Sequence, residues 1–300
     1  MLSIDIQRSN EFAYCRKHHD KYIVTALKTP ALKEKVNEGT QLIKEWMSSE
    51  FHPTKQARID QLKELDVTEL VEKAFSQIAY YVAPTTFVSV VAQVAGHLGF
   101  NDRKEAIQTT AEILAVLCNT NAFDITKESK QASLMLVSKL VLPAELTEAI
   151  ERGTYPLPMV VEPQNLEGNY QSPYLTFNEC QILGKSNGHE GELSLDVLNA
   201  QNQIPLTMDV AFLSSVEEGT SAELDTQEKV QMWYAFKKRG YEVYRSIVQQ
   251  GNTFYLTHKV DKRGRIYSQG YHINTQGTPF KKACIELKNK EVIQGVPRGI

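Results

Sequence analysis

The sequence lacks the features that mark several large classes of protein. Its four cysteines are far apart along the chain: Cys15, Cys118, Cys180 and Cys284. No Cys-x-x-Cys pair is present, so neither a zinc site nor a redox pair is indicated. No apolar run approaches the roughly 20 residues that a membrane-spanning helix requires, and the N-terminus has no signal-peptide pattern. We therefore expect a cytoplasmic protein with reduced thiols, no metal site of its own and no membrane partner.

The chain has no strong excess of either charge, but the two signs are unevenly distributed. Over all 300 residues the net charge is −3, with 42% hydrophobic and 23% charged residues, which is ordinary for a globular protein large enough for two domains. Residues 226–300 contain 14 Lys and Arg against 5 Asp and Glu, a net charge of +9, whereas the remainder carries −12. The basic segment favours a polyanionic partner, although docking onto an acidic protein surface would also use it.

Residues 1–152 have the apolar periodicity of a helical domain. Asp66 begins a capping sequence that precedes one of these helices. The same kind of pattern predicts a helix over Lys127–Leu142 and a shorter helix that begins at Pro143. No residue type or spacing in this domain indicates catalysis.

Residues 153–225 differ in composition from the rest of the chain. Five of the 11 prolines fall here, together with glycine-rich loop sequences, so we expect an irregular connecting region that wraps the core. The glycines at 184, 188 and 191 match neither of the common phosphate-loop spacings. Asp225-Thr-Gln-Glu228 then has the form of a capping box, which predicts a helix in residues 226–251 with one apolar and one basic side. On the residues alone, the basic side is either a solvated face or a binding surface, and neither interpretation is favoured.

The segment from Asn252 to Tyr267 predicts two strands joined by a tight turn. Asp261-Lys-Arg-Gly264 has the composition of a type I turn followed by a bulge, in which Gly264 takes a positive φ. Three cations then crowd the tip: Lys262, Arg263 and Arg265. Because these cations repel one another, an external anion is a suitable partner, and guanidinium groups bind phosphate oxygens in pairs. The alternative is a solvated basic turn.

Three motifs in order give the C-terminal part a resemblance to a known family. Asp261-Lys-Arg-Gly-Arg-Ile-Tyr267 is followed by Asn274-Thr-Gln-Gly277 and Lys281-Lys-Ala-Cys-Ile-Glu-Leu287. This series resembles a block of the phage-type single-subunit RNA polymerases of bacteriophages and mitochondria. In that family a D-x-x-G-R-x-Y hairpin opens the palm, an N-x-Q-G turn follows, and a Lys-containing helix comes next. Tyr155–Pro163 with Gly168-Asn-Tyr170 also resembles the family's P-P-M-x-x-P segment and its G-G-Y sequence.

The resemblance and the residue patterns together predict an α+β fold that is predominantly α. Its expected parts are a helical N-terminal domain (1–152), an irregular Pro-rich connecting region (153–225), a thumb-like helix (226–251) and the start of a palm with the D-x-x-G-R hairpin (252–300). In this arrangement the basic side of the thumb-like helix follows a nucleic-acid backbone without reading bases.

The resemblance also implies roles for individual residues. The nucleic-acid-binding residues are Lys262, Arg263, Arg265, Tyr267, Lys281 and Lys282. Arg263 and Arg265 would bind the template strand and the RNA–DNA hybrid, with Tyr267 packing against a sugar or base. Asp261 and Gly264 would shape the turn, and the Asp261 carboxylate would orient an arginine. The two lysines lie on the family's basic helix, where they would contact the hybrid backbone.

The family's catalytic carboxylates are absent from this sequence. In the family, carboxylates that follow the hairpin hold two Mg²⁺ ions. Only 35 residues follow Arg265 here, and their two acids, Glu286 and Glu291, match neither metal motif. We therefore predict no catalytic residue in this chain, and the resemblance implies that a second polypeptide supplies the aspartates with their Mg²⁺, a Lys–Tyr helix and the fingers. The alternative is that Ile300 is not the natural end of the protein.

A heterodimer of this kind resembles the split, two-chain RNA polymerase of N-four-like podophages, with this chain as the small subunit. That resemblance implies a phage origin and the cytoplasm of a bacterial host. A non-enzymatic protein that binds single-stranded nucleic acid is the competing hypothesis, because it would use the same basic hairpin. A scaffold whose basic end docks a protein is a third hypothesis, against which salt-dependent binding to an RNA–DNA hybrid would count.

Overall fold

The computed structural model of the chain describes residues 3–96, 98–100, 102–127, 133–153, 155–184, 188, 190–290 and 295. About half of these residues are helical, and the strands form small antiparallel sheets, so the protein is of mixed α and β class. The chain divides into a helical unit, residues 18–151, and a C-terminal unit, residues 1–17 with 152–300. In the described part, no helix is long and apolar enough to cross a bilayer.

The first helix, α1 (Ser3–Tyr14), belongs to the C-terminal unit, although the expected helical domain of residues 1–152 includes it. Polar side chains attach it there. The buried Glu11 carboxylate accepts hydrogen bonds from the amides of Leu175 and Thr176, at 3.0 and 2.8 Å. Gln7 accepts a further bond from the amide of Val160, at 2.8 Å.

Helices make up most of the helical unit. In chain order its elements are α2 (Arg16–Leu27), α3 (Pro30–Met47), α4 (Pro53–Leu62), α5 (Val67–Ile78), β1 (Thr85–Thr86), α6 (Phe87–Ala95), α7 (Arg103–Leu117), a 3₁₀ turn (Cys118–Thr120), β2 (Phe123–Lys127), β3 (Leu134–Ser138) and α8 (Ala144–Arg152). Asp66 caps α5 as predicted, because its carboxylate accepts from the amides of Thr68 and Glu69. A Cβ at Gly39 would lie 2.9 Å from Leu117, so glycine allows α3 to approach α7 closely.

Where a helix is predicted over Lys127–Leu142, the structure has strands instead, and that prediction is wrong. β3 lies between β1 and β2, all antiparallel, with Leu136 opposite Ile125. Leu136 is fully buried. A short apolar run fits either helical or strand periodicity, and here the two neighbouring strands determine the outcome. Residues 128–132 lie outside the described part, and α8 begins one residue after Pro143, which confirms the short helix predicted there.

The C-terminal unit combines short elements with long irregular stretches. After α8 its elements are α9 (Leu195–Asn202), β4 (Leu206–Met208), α10 (Val210–Ser215), α11 (Gln227–Gln249), β5 (Thr257–Val260), β6 (Ile266–Gln269), α12 (Pro279–Ala283) and β7 (Ile285–Leu287). β4 pairs with β7 and β5 with β6, both antiparallel. The main core of the unit consists of Leu157, Leu206, Met208, Val243, Tyr244, Ile247, Phe254, Leu256, Ile273 and Cys284.

The irregular stretch before α9 packs along the segment that leads into the hairpin. Met159 and Tyr255 exchange two backbone hydrogen bonds, at 2.9 and 2.8 Å. Further along the chain, the amide of Leu183 donates to the carbonyl of Val260 at 2.7 Å. Because Met159 and Ile182 are both buried, this stretch covers one side of the hairpin's base with apolar side chains.

Helix α11 is anchored to the core by its C-terminal half alone. Gly240, Val243, Tyr244 and Ile247 are buried, whereas every described side chain before Gly240 is at least partly exposed. Thr226 caps the helix through a hydrogen bond from the amide of Lys229 at 3.2 Å. The predicted capping box begins at Asp225 instead, but that carboxylate pairs with the Lys229 ammonium at 2.7 Å.

Candidate nucleic-acid interface

The β5–β6 hairpin presents Asp261–Arg265 at its tip. Val260 lies opposite Ile266 at the end of the ladder. The amide of Gly264 donates to the carbonyl of Asp261, and the amide of Asp261 donates to the carbonyl of Arg265, both at 2.9 Å. Gly264 has a φ of +78°, which glycine adopts without steric cost. The structure thus has the tight turn and the positive-φ glycine that the sequence predicts.

The Asp261 carboxylate organises this tip. One oxygen accepts from the amides of Arg263 and Arg265, at 2.9 and 3.0 Å. The other accepts from Nε and Nη2 of Arg263, at 2.9 and 2.7 Å, and from the Tyr267 hydroxyl at 3.3 Å. Desolvation alone would raise the pKa of Asp261, but the hydrogen bonds from the two amides and the Arg263 guanidinium outweigh it and lower the pKa to about 2. Asp261 therefore shapes the turn and orients Arg263.

The three cations at the tip are not equivalent. Arg263 is 65% exposed, yet it is held by Asp261 and lies with Nη2 3.4 Å from the Tyr267 hydroxyl. Lys262 and Arg265 are exposed, and neither forms an ion pair with a residue that the structure describes. The tip therefore offers two uncommitted cations beside one fixed, partly exposed guanidinium, which is a suitable arrangement for consecutive phosphate groups.

The Asn274–Gly277 turn folds back onto β6. The Gln276 side-chain amide accepts from the amide of Ser268 and donates to the carbonyl of Ile266, both at 2.9 Å. Asn274 donates to the carbonyl of Gly270 at 2.8 Å and accepts from the amide of Gln276 at 2.7 Å. Gln276 thus pairs with β6 much as a neighbouring strand does, and it joins the second motif to the hairpin.

The two lysines of α12 differ in environment. Lys282 is exposed, with no ion pair to a described residue. Lys281 is half-buried and donates to the carbonyl of Tyr271 at 2.6 Å, while its ammonium lies 5.3 Å from the ring centroids of Tyr271 and Phe236. Burial lowers the pKa of Lys281, and the charge of Glu218 partly opposes that shift. Lys281 therefore has a structural partner, and Lys282 is the lysine that faces solvent.

A histidine lies beside this lysine in the interior. His272 lies in the loop after β6 and is buried, with its ring centroid 5.0 Å from that of Phe236 in α11. Burial, together with the positive charges of Lys281 and Arg239, lowers the pKa of His272 to about 4. This residue is therefore neutral at neutral pH.

The basic side of α11 is partly neutralised. Lys237 pairs with Glu217 at 2.6 Å, whereas Lys238 and Arg245 are exposed. These three basic residues line a shallow groove of about 380 Å³ together with two tyrosines and Glu242. The groove is open and mixed in charge, so α11 presents a moderately basic surface.

Sequence reasoning missed an aromatic pair close to these motifs. The rings of Tyr155 and Tyr271 are stacked, with their centroids 4.5 Å apart and an interplanar angle of 7°. The two residues are more than a hundred positions apart, so no local pattern brings them together. The only signal available was the presence of both tyrosines beside motifs of the family resemblance.

Among the described residues there is no group of three or more His, Cys, Asp or Glu side chains that could hold a metal ion.

A scan against models of protein families found no matching family, and a search of curated proteins found no match either. We therefore infer the function from the geometry of the hairpin and its surroundings.

Proposed function

We propose that this chain is a subunit of a DNA-directed RNA polymerase. It contributes the N-terminal domain, a thumb-like helix and the hairpin that binds the template strand and the RNA–DNA hybrid. A second polypeptide contributes the catalytic aspartates with their Mg²⁺, the Lys–Tyr helix and the fingers. The chain is inactive alone, and the heterodimer is the enzyme.

The observation that carries the proposal is the construction of the hairpin tip. A solvated basic turn needs no internal order, yet Asp261 accepts four hydrogen bonds from Arg263 and Arg265 and one from Tyr267. Fixing one guanidinium while Lys262 and Arg265 remain exposed reduces the entropy lost when phosphates bind. The second motif, through Gln276, secures the same strand. These features support binding of a nucleic-acid backbone at the tip.

In this proposal the residues have separate roles. Arg265 and Lys262 bind phosphates of the template strand and hybrid, and Arg263 offers its remaining N–H groups in a fixed orientation. Tyr267 packs against a sugar or base, and Lys282 contacts the hybrid backbone from α12. Such contacts position the nucleic acid without selecting its sequence. The more exposed N-terminal half of α11 follows the nucleic-acid backbone through Lys238.

The first test measures binding of the chain, with and without its partner, to a fluorescent RNA–DNA hybrid at several salt concentrations. Removing one phosphate contact with Arg265→Ala should weaken binding and reduce the slope of log Kd against log salt by about 1. The control is Arg103→Ala, at an exposed arginine of the helical unit, which should leave both quantities unchanged. With the partner present, Arg265→Ala should reduce elongation and hybrid retention while leaving heterodimer assembly intact.

Two results would overturn the proposal. One is salt-independent binding and equal transcript yields from parent and Arg265→Ala. The other is a chain that gains no stability from a polypeptide carrying the catalytic aspartates and supports no nucleotide incorporation with it.

The second candidate is a non-enzymatic protein that binds single-stranded nucleic acid. The exposed stacked tyrosines favour it, because aromatic faces bind unpaired bases. Salt-dependent binding without nucleotide incorporation in the presence of the partner would select this candidate.

A further inference from the structure

Tyr155 and Tyr271 form a stacked pair of exposed aromatic residues. Tyr155 is 57% exposed and Tyr271 is 45% exposed. One face of the Tyr155 ring lies on Tyr271, at an interplanar angle of 7°. More than half of the Tyr155 residue is nevertheless accessible to solvent, so it offers surface that Tyr271 does not cover. Apolar area of this kind is a candidate for a ligand or partner.

Tyr271, the less exposed ring of the pair, contacts further side chains that support it. The rings of Phe236 and His272 both lie edge to face with the ring of Tyr271, with centroid distances of 5.8 and 4.9 Å. Lys281 donates to the carbonyl of Tyr271 and lies 5.3 Å from the centroid of its ring. A preformed aromatic surface loses little entropy on binding, because two χ angles per tyrosine are already restricted. Tyr271 therefore has a restricted orientation, and its ring supports that of Tyr155.

The chemistry of this surface favours one class of ligand. A flat aromatic face that is joined through Tyr271 to the basic segment 226–300 matches a nucleobase, whose ring stacks while the attached phosphates are attracted by cations of that segment such as Lys282. Bases inside a duplex have both faces covered, so an unpaired base is the suitable partner. An isolated phosphate would gain nothing from the ring face.

The surface also lies near the hairpin along the chain. Tyr271 follows the end of β6 by two residues, and β6 has four residues. At about 3.3 Å per residue the strand spans about 13 Å, which is about four steps of a stacked nucleic-acid strand at 3.4 Å each. A nucleic-acid strand that is bound at the tip would therefore reach the tyrosines within about four nucleotides, where an unpaired nucleotide could stack.

We propose that Tyr155, supported by Tyr271, is a stacking site for an unpaired nucleobase that flanks the duplex held by the hairpin. This inference rests on the proposed function and adds a ligand to the same surface. Stacking on Tyr155 supplies affinity that is independent of salt, whereas the cations of the tip supply the salt-dependent part.

The test uses a hybrid with a single-stranded flank in which abasic sites replace successive nucleotides, made once with a DNA flank and once with an RNA flank. Tyr155→Ala should weaken binding about 5- to 150-fold with no change in salt slope, which corresponds to about 1–3 kcal/mol of stacking. An abasic site at the stacked position should weaken the parent by the same factor and should not weaken Tyr155→Ala further. Tyr155→Phe should bind as the parent does, because it retains the ring.

Controls separate this inference from the proposed function. Tyr22→Ala, at a tyrosine of the helical unit that is 46% exposed, should change neither affinity nor slope. If the parent binds with the expected salt slope but Tyr155→Ala and the abasic flanks match it, the stacking site is refuted and the hairpin assignment stands. If Tyr155→Ala weakens association with the second polypeptide alone, the pair is a protein contact and the inference is also refuted. If the parent shows no salt-dependent binding, both proposals fail.

Discussion

At the scale of single residues, one carboxylate determines how the hairpin presents its charge. Asp261 satisfies two backbone amides with one oxygen and binds the Arg263 guanidinium with the other. Without it, three cations within four residues would repel one another and the turn would lose its internal acceptor. The fixed orientation of Arg263 is therefore a property of Asp261 as much as of Arg263.

The pH dependence of the tip follows from the same contacts. The pKa of Asp261 is lowered from 3.8 to about 2, so the ordering effect is fully present above the unfolded-state pKa and is lost as the pH falls through about 2. Protection of the Arg263 and Arg265 amides against hydrogen exchange, measured relative to the intrinsic rate at the same pH, should persist at pH 3. Asp261→Asn retains an oxygen for the two amides but cannot accept from the guanidinium, so it should preserve their protection and release Arg263. Asp261→Ala should abolish both the protection of the two amides and the orientation of Arg263. Equal amide protection in the Asn and Ala variants would contradict this explanation.

At the scale of elements, the hairpin depends on a glycine with a positive φ. Gly264 has nothing within 4 Å of the position that a Cβ would occupy, so any cost of substitution there comes from the left-handed backbone conformation and not from a clash with surrounding residues. Gly264→Ala should destabilise the chain by about 1 kcal/mol, with Gly264→Asn costing less, because Asn tolerates left-handed conformations. The measurement is the free energy of unfolding in denaturant.

A matched control exists for this prediction. Gly219 also has open space around its Cβ position but does not have a left-handed φ. Gly219→Ala should therefore change the free energy of unfolding by less than about 0.5 kcal/mol. Equal effects at the two glycines would show that the turn does not require the positive φ.

At the scale of the whole molecule, a buried histidine should link stability to pH. The pKa of His272 is lowered from 6.5 to about 4, so the folded state favours the neutral ring and the unfolded chain binds the extra proton. The contribution of the neutral His272 ring to the free energy of unfolding is fully present above pH 6.5. It decreases as the pH falls toward 4, by up to about 3 kcal/mol. The transition that unfolds the C-terminal unit should show this decrease.

The variant His272→Phe isolates the effect, because it keeps an aromatic ring and removes the titrating group. Its unfolding free energy should fall less steeply between pH 6.5 and 4 than that of the parent. Some dependence should remain because burial also lowers the pKa of His258. Parallel stability curves for variant and parent would refute the assignment to His272.

The sequence predicted correctly those local features that short-range interactions determine. The turn at Asp261–Gly264, the cap at Asp66 and the short helix after Pro143 each depend on residues within about four positions, and all three are present. Composition likewise indicated a basic C-terminal part. Local signals of this kind are readable because their partners are neighbours in the chain.

The tertiary structure decided everything that needed a distant partner. Leu134–Ser138 is a strand because β1 and β2 pair with it, and α1 joins the C-terminal unit because Glu11 binds amides more than 160 residues away. Lys281 is withdrawn from solvent by Tyr271 and Phe236, and Tyr155 meets Tyr271, which is more than a hundred positions away. The physical reason is common to all of these: burial and pairing between remote segments outweigh the weak local preferences of each segment alone.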